Sequence, residues 1–148
     1  MYELPNISKE IVNVELDKLV PYKGNPRHNT KSAKMVAESI KKYGYINPIV
    51  VDENFVILAG NTRFKALKLL GVGHADVLVV KGLSESDKNG FVIADNKVGE
   101  FSKWNYTALE RMLEAGDIDQ EALEGFGILS VRRTKEKLEE MIYGPEGA

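Results

Sequence analysis

Residues Gly60-Asn61-Thr62-Arg63 place a flexible backbone point, two hydrogen-bonding side chains and a guanidinium within one turn of chain. That combination suits the binding of an oxyanion. Glycine lets the backbone turn sharply and lets a ligand come close. A helix starting just after it offers free N–H groups to an anion. Arginine adds a planar fork that meets a phosphate at two points. Arg63 also breaks a local rule, because the first turn of a helix favours negative charge. A broken rule of this kind marks a candidate functional site. The competing reading is an ordinary strand-to-helix turn with a solvated arginine, since G-x-x-R is short and common. The oxyanion reading fails if the guanidinium is salt-bridged into the interior and the turn is sealed from solvent.

The elements around this turn can be read from periodicity. Phe55 to Leu58 is apolar and β-prone, and leads into Gly60. Asn61 or Thr62 is placed to cap the following helix. In that helix Phe64, Leu67 and Leu70 repeat at a spacing of three, with Ala66 and Leu69 beside them, and Gly71 stops it. Ile49–Val51 reads as a buried strand starting after Pro48, and the short Asp52-Glu53-Asn54 link predicts an antiparallel hairpin with Phe55–Leu58.

Upstream, residues 1–10 read as a loose arm and Ile11–Leu16 as a first strand. A polar loop with Arg27 and His28 precedes a helix over Lys31–Tyr43. Ala33, Val36, Ala37, Ile40 and Tyr43 share one face of it, and Lys34, Lys41 and Lys42 lie elsewhere. Downstream, Ala75–Lys81 reads as a strand. Ser84 with Asp87 resembles a capping box that opens another helix. Phe91, Ala94, Val98 and Phe101 fall on one face of that helix. On its other side Asp95, Asn96 and Glu100 are candidate Mg²⁺ ligands beside a phosphate site, with plain solvation as the competing reading.

Trp104 to Ala148 differs in character. Helices are expected over Tyr106–Ala115, Ile118–Leu123 and Thr134–Ile142, with Trp104 and Phe126 pinning them to the rest. The expected fold is α+β: a small mixed β-sheet with packed helices over 1–103 and a helical extension over 104–148.

The charge is unevenly spread. Residues 18–81 carry 11 Lys and Arg against 4 Asp and Glu, whereas residues 82–148 carry 8 against 14. The first part attracts phosphates and the second does not. Cysteine is absent, which removes disulfides, thiol catalysis and thiolate metal sites. His28 and His74 form no ligand spacing. No apolar run is long enough to cross a membrane and no signal-peptide pattern opens the chain, so a cytoplasmic protein is expected.

Four segments, in order, resemble the ParB N-terminal / sulfiredoxin superfamily. Asn25-Pro26-Arg27 is similar to its N-P-R box. Tyr43-Gly44-Tyr45-Ile46-Asn47-Pro48-Ile49-Val50-Val51 is similar to its H-G-x-x-Q-P-I-x-V segment. Gly60-Asn61-Thr62-Arg63-Phe64-Lys65-Ala66 is similar to its G-E-R-R-x-R-A box. Ile93-Ala94-Asp95-Asn96-Lys97 resembles the I-A-D-N segment of a ParB-like branch found in phages and fused to DNA methyltransferases. The resemblance covers about residues 11–103.

It implies a nucleotide site. In ParB the arginine box holds the triphosphate of CTP. In sulfiredoxins and free-serine kinases the related loop holds adenine-nucleotide phosphates. Carried onto this chain, the phosphate-binding set is Gly60, Asn61, Thr62 and Arg63, with Arg27, His28 and Asn96 contributing, and Mg²⁺ at Asp95, Asn96 and Glu100. The departures are specific. Asn61 stands where ParB has a glutamate associated with Mg²⁺, and Thr62 where it has the first arginine. Val98 and Gly99 replace the Gln and Arg of its E-N-x-Q-R segment. These changes weaken the case for CTP hydrolysis. Asn61 also replaces the sulfiredoxin cysteine, which excludes sulfiredoxin chemistry. The helix-turn-helix that reads the partition site is expected to need more chain than follows Ser102.

Three functions stay open at this point. One is a nucleotide-binding ParB-like module in phage or mobile-element DNA biology, touching DNA through its backbone phosphates. The second is an enzyme of the superfamily, a nucleotidase, kinase or nuclease. The third is an interaction module with a decayed nucleotide site, docking a protein partner through its acidic C-terminal region. A homodimer is compatible with each.

Overall fold

The computed structural model describes residues 1–23, 30–101, 105–116 and 119. Within them four strands form one sheet in the order β1-β4-β2-β3, built from β1 (Ser8–Glu15), β2 (Ile49–Val51), β3 (Ile57–Ala59) and β4 (His74–Lys81). β1 runs antiparallel to β4, β4 parallel to β2, and β2 antiparallel to β3. The sheet is therefore mixed, and the β2–β3 hairpin forms as the short Asp52–Asn54 link predicts. β1 starts at Ser8, earlier than the apolar pattern indicates. The cause is β4, whose Lys81, Val80 and Val79 pair with Ser8, Lys9 and Glu10 although those side chains face water.

Val77 and Val79 of β4 and Ile49 and Val51 of β2 are almost fully enclosed. They meet Val14, Leu16 and Leu19 from the first strand and the turn after it, and Phe64 and Leu67 from α2 (Asn61–Leu69). Burying each such side chain contributes on the order of 1.5–3 kcal/mol. The core thus packs α2 against β2, whose Ile49 backs the Gly60 turn.

α1 (Thr30–Tyr43) packs on α2, and the small buried side chains of Ala33, Ala37 and Ala66 let the two helices approach closely. α2 closes with Gly71 N–H bonded to Lys68 O and Val72 N–H to Leu67 O, which uses up carbonyls at its end. α3 (Glu85–Phe101) opens with Asp87 N–H donating to Ser84 Oγ at 3.1 Å, as the capping pattern predicts. α4 (Tyr106–Ala115) has its expected bounds and is capped by Asn105, whose Oδ1 accepts from Ala108 N–H at 3.0 Å. The expected pins Trp104 and Phe126, and the helices over 118–123 and 134–142, lie outside the described residues.

α3 is where the apolar pattern misleads. It docks on the sheet by Lys88, Val92 and the half-buried Asn96, one turn apart from each other. Phe91 and Val98, on the expected apolar face, are 40 % and 65 % exposed. The turn after β2 explains this. Asp52 is buried, and its Oδ1 accepts from Asn54 N–H and Val56 N–H. Its Oδ2 lies 3.1 Å from Lys88 Nζ, with both side chains 5 % exposed. Glu53 and Glu85 reach the same ammonium at 3.2 and 3.4 Å. A buried carboxylate without a counter-charge is strongly unfavourable, so the helix turns its lysine inward and its phenylalanine outward. The hydrogen bond with Asp52 is the main reason Lys88 holds its proton well above the ordinary lysine range, outweighing the opposing effect of burial.

Candidate functional site

The site begins with a glycine whose replacement is strained. Gly60 has φ 101° and ψ 24°, a left-handed conformation that L side chains rarely adopt. A Cβ built on it would stand 3.0 Å from Arg63 Nη2, 3.1 Å from Arg63 Nε and 3.1 Å from Ile49 Cα. The arginine therefore folds back over its own helix start, into space that only a missing side chain leaves. α2 begins at Asn61, and no side chain caps it. Neither Asn61 nor Thr62 acts as the cap that sequence spacing suggests, because Gly60 is itself the cap residue. The first intrahelical bond is from Phe64 N–H to Gly60 O, so the N–H groups ahead of it have no partner within the helix.

Arg63 is held but not neutralised. Its Nη2 donates to Pro48 O at a long 3.3 Å, and its Nε is buried with no hydrogen-bond partner. Among the described residues no carboxylate lies within ion-pair distance of it. Asn61 Oδ1 is likewise buried and unpartnered. A buried donor and a buried acceptor without partners are each costly, by about 1–3 kcal/mol. Beside Arg63 opens a cavity of about 220 Å³, which Gly60 and Asn61 do not line. Arg63, Tyr43, Tyr45 and Ile46 line it, with Val36 and Ile40 of α1. The condition under which the oxyanion reading fails is not met: among the described residues the guanidinium has no salt bridge, Arg63 borders an open cavity, and Gly60, Asn61 and Thr62 are half-buried rather than sealed.

Tyr45 is the residue that sequence reasoning missed. Its hydroxyl accepts from Ile49 N–H at 2.7 Å and donates to Asp76 O at 2.8 Å. It so ties the loop after α1 to β4 and fixes the segment carrying Pro48 O, the carbonyl under Arg63. Burial is the chief cause of its raised pKa; the bond from Ile49 and the charge of Arg63 act in the other direction. The signal was present as a tyrosine between a helix-ending glycine and the Asn47-Pro48 pair, but nothing in spacing tells which way a lone tyrosine turns.

The other candidates sit apart from this cavity or outside the description. Thr62 is half-buried in the first turn of α2. Asn96 donates its amide to Val92 O at 2.8 Å, Glu100 pairs with Lys97 at 2.8 Å, and Asp95 is exposed. None of the three lines the cavity beside Arg63. Among the described residues no group of three or more His, Cys, Asp or Glu is gathered to hold a metal ion. Arg27 and His28 lie outside the described residues.

The family model of the ParB N-terminal domain matches residues 3–96. The chain belongs to the ParB N-terminal domain family. It is 38% identical over 80 residues to the ParB-like nuclease domain-containing protein YnaK of Escherichia coli, covering 53% of this chain and 92% of that one. It is 35% identical over 97 residues to a probable chromosome-partitioning protein ParB of Rickettsia conorii. There the match covers 64% of this chain and only 34% of the relative, so the chain spans about a third of the length of that protein. Among solved structures it resembles the C-terminally truncated ParB of Caulobacter crescentus, solved with CTP-γ-S, with a TM-score of 0.62. The alignment covers 94% of this chain and 88% of that one at 17% identity, which shows a shared fold. Among the described residues, no helix of this ParB N-terminal domain is long and apolar enough to cross a membrane.

Two substitutions probe the site's construction. Gly60→Ala forces a side chain onto Arg63 and Ile49 at a φ it resists. The expected cost is about 1–3 kcal/mol, read as a Tm lower by roughly 3–9 °C in a thermal melt. Tyr45→Phe leaves Ile49 N–H and Asp76 O without their partner. It is expected to lower Tm by roughly 3–6 °C while the far-ultraviolet circular dichroism is unchanged.

Proposed function

We propose that this ParB N-terminal domain binds a nucleotide by its phosphates at the Gly60 turn, and that it does so in the service of DNA transactions. The observation that carries the reading is Arg63: a guanidinium with a buried, unpartnered Nε, no counter-ion among the described residues, and an uncapped helix N-terminus beside it. An oxyanion at that point would accept from the guanidinium and from the helix N–H groups together. The relatives support the class. One is named a chromosome-partitioning protein and a structural neighbour was solved with CTP-γ-S.

CTP, ATP and ADP are the candidate nucleotides. Asn61 and Thr62, in place of the Glu and first Arg of the ParB box, favour binding over rapid hydrolysis. Since the described residues gather no carboxylate cluster, Mg²⁺ would arrive with the phosphates. Asn61 Oδ1, buried and unpartnered, is the oxygen best placed to face it or its water shell. DNA contact would run through backbone phosphates on the basic part of the chain and would weaken steeply with salt. The resemblance of the Ile93–Lys97 segment favours a phage or mobile-element setting.

The test is a thermal-shift screen of the full chain with CTP, ATP, ADP and GTP, with and without Mg²⁺. Stabilisation by one nucleotide that Arg63→Ala removes supports the reading. No shift with any of them leaves the interaction-module reading in its place. Steady phosphate release or transfer to serine moves the protein to the enzymes.

A further inference from the structure

A second concave surface lies on the opposite flank of α1 from the nucleotide cavity. It is a groove of about 510 Å³ between α1 and the C-terminal end of α2. Met35, Leu69 and Leu70 form its floor, and Lys31, Lys34 and Lys41 its rim. Leu69 is 60 % exposed at the end of a helix whose other leucine, Leu67, is almost fully enclosed. One carboxylate, Glu38, lines the groove, and Lys41 rests on it at 3.7 Å with both ends more than half exposed. At the far end of α1 and outside the groove's lining, Lys42 holds the carboxylate of Asp119 at 2.8 Å.

We propose that this groove docks an acidic amphipathic helix of a partner protein. Charge complementarity sets the sign: the rim is lysine, so the partner's flanks are Asp and Glu. The floor sets the class. Nucleic-acid backbone gains nothing by covering Leu69 and Met35, whereas a helix with leucines one turn apart buries its apolar face there. Methionine adapts its shape to such a face. From Lys31 to Lys41 the rim runs about 15 Å, the length of roughly three helical turns. The proposal is independent of the nucleotide reading, because Arg63 is on the other flank.

The probe is a fluorescein-labelled twelve-residue helical peptide with Glu on its flanks and Leu on one face, titrated into the full chain by anisotropy. Binding that Lys34→Glu and Leu69→Ser each weaken at least about tenfold supports the proposal. Leu69→Ser should leave any nucleotide thermal shift unchanged. No binding overturns it. So does equal binding of a peptide with its leucines changed to serine, or displacement by random-sequence duplex DNA at physiological salt, because either outcome reduces the groove to a phosphate track. Carbodiimide cross-links from Lys34 to carboxylates beyond residue 119 in the protein alone also overturn it, by assigning the groove to the chain itself.

Discussion

Arg63→Ala is expected to weaken nucleotide binding about 100-fold while leaving the unliganded protein as stable as before, or more so. The first half follows from charge-assisted hydrogen bonds, worth about 1.5–3 kcal/mol when the acceptor is charged. The second half follows from what Arg63 lacks at rest. It has one long bond to Pro48 O and a buried Nε with no partner. Removing a group that is already unsatisfied relieves a cost. The two halves separate in one experiment. Ligand at 100 times its Kd stabilises by about 2.7 kcal/mol, or roughly 8 °C for a domain of this size. A 100-fold loss of affinity shrinks that to about 0.4 kcal/mol, near 1 °C. The melt without nucleotide should stay level or rise. A fall in the unliganded melt as large as the lost ligand shift would show Arg63 to be a structural residue and sink the assignment.

The largest expected effect on stability is at Lys88. Lys88→Ala strands the buried carboxylate of Asp52, which keeps its bonds to Asn54 N–H and Val56 N–H but loses its counter-charge. Tm should fall by roughly 10 °C. The double variant Asp52→Asn, Lys88→Met should recover a good part of that loss, because two neutral groups remove the charge imbalance together. If the double variant is as unstable as the sum of the singles, the pair is not coupled. The same pair shapes the response to pH. Lys88 is raised above the ordinary lysine value of 10.5, and Tyr45 above the ordinary tyrosine value of 10.0. A group whose folded pKa is raised binds its proton more tightly in the folded state. Its contribution is whole below the unfolded value and is lost as pH climbs through the folded one. Stability should therefore decline above about pH 10, first through Tyr45 and then through Lys88. Tyr45→Phe should flatten the first part of that decline in pH-dependent melts.

The Gly60 turn and the strands beside it were legible because local chemistry and burial agree there. Gly60 takes a conformation that other residues rarely adopt, Ile49–Val51 is a short apolar run, the run read over Phe55–Leu58 forms its strand slightly later at Ile57–Ala59, and Phe64 and Leu67 repeat at helical spacing. α3 was misread for the opposite reason. Phe91, Ala94 and Val98 form a helical stripe, and a stripe is what periodicity detects. The helix is instead oriented by Lys88, drawn in by an acid 36 positions earlier, and a contact across that distance leaves no mark in a local pattern. Tyr45 escaped for a related reason, since its partners Ile49 and Asp76 are backbone groups. The capping of α2 was misjudged because Asn61 and Thr62 are good cap types, yet the glycine ahead of them took the cap position.

The two outer strands of the sheet are finished differently, and this bears on how the protein behaves when concentrated. At β3 the chain passes alongside near Val20, whose N–H bonds Phe55 O and whose carbonyl accepts from Ile57 N–H. That border is occupied. At the other border β1 carries Lys9, Glu10, Asn13 and Glu15, all facing water, on both sides of an exposed Ile11. A neighbouring molecule that tried to extend the sheet would meet backbone already bonded on one side and the hydrated charges of Lys9, Glu10 and Glu15 on the other. Growth of molecule upon molecule into fibres is thereby discouraged by the border chemistry itself, without help from the helices.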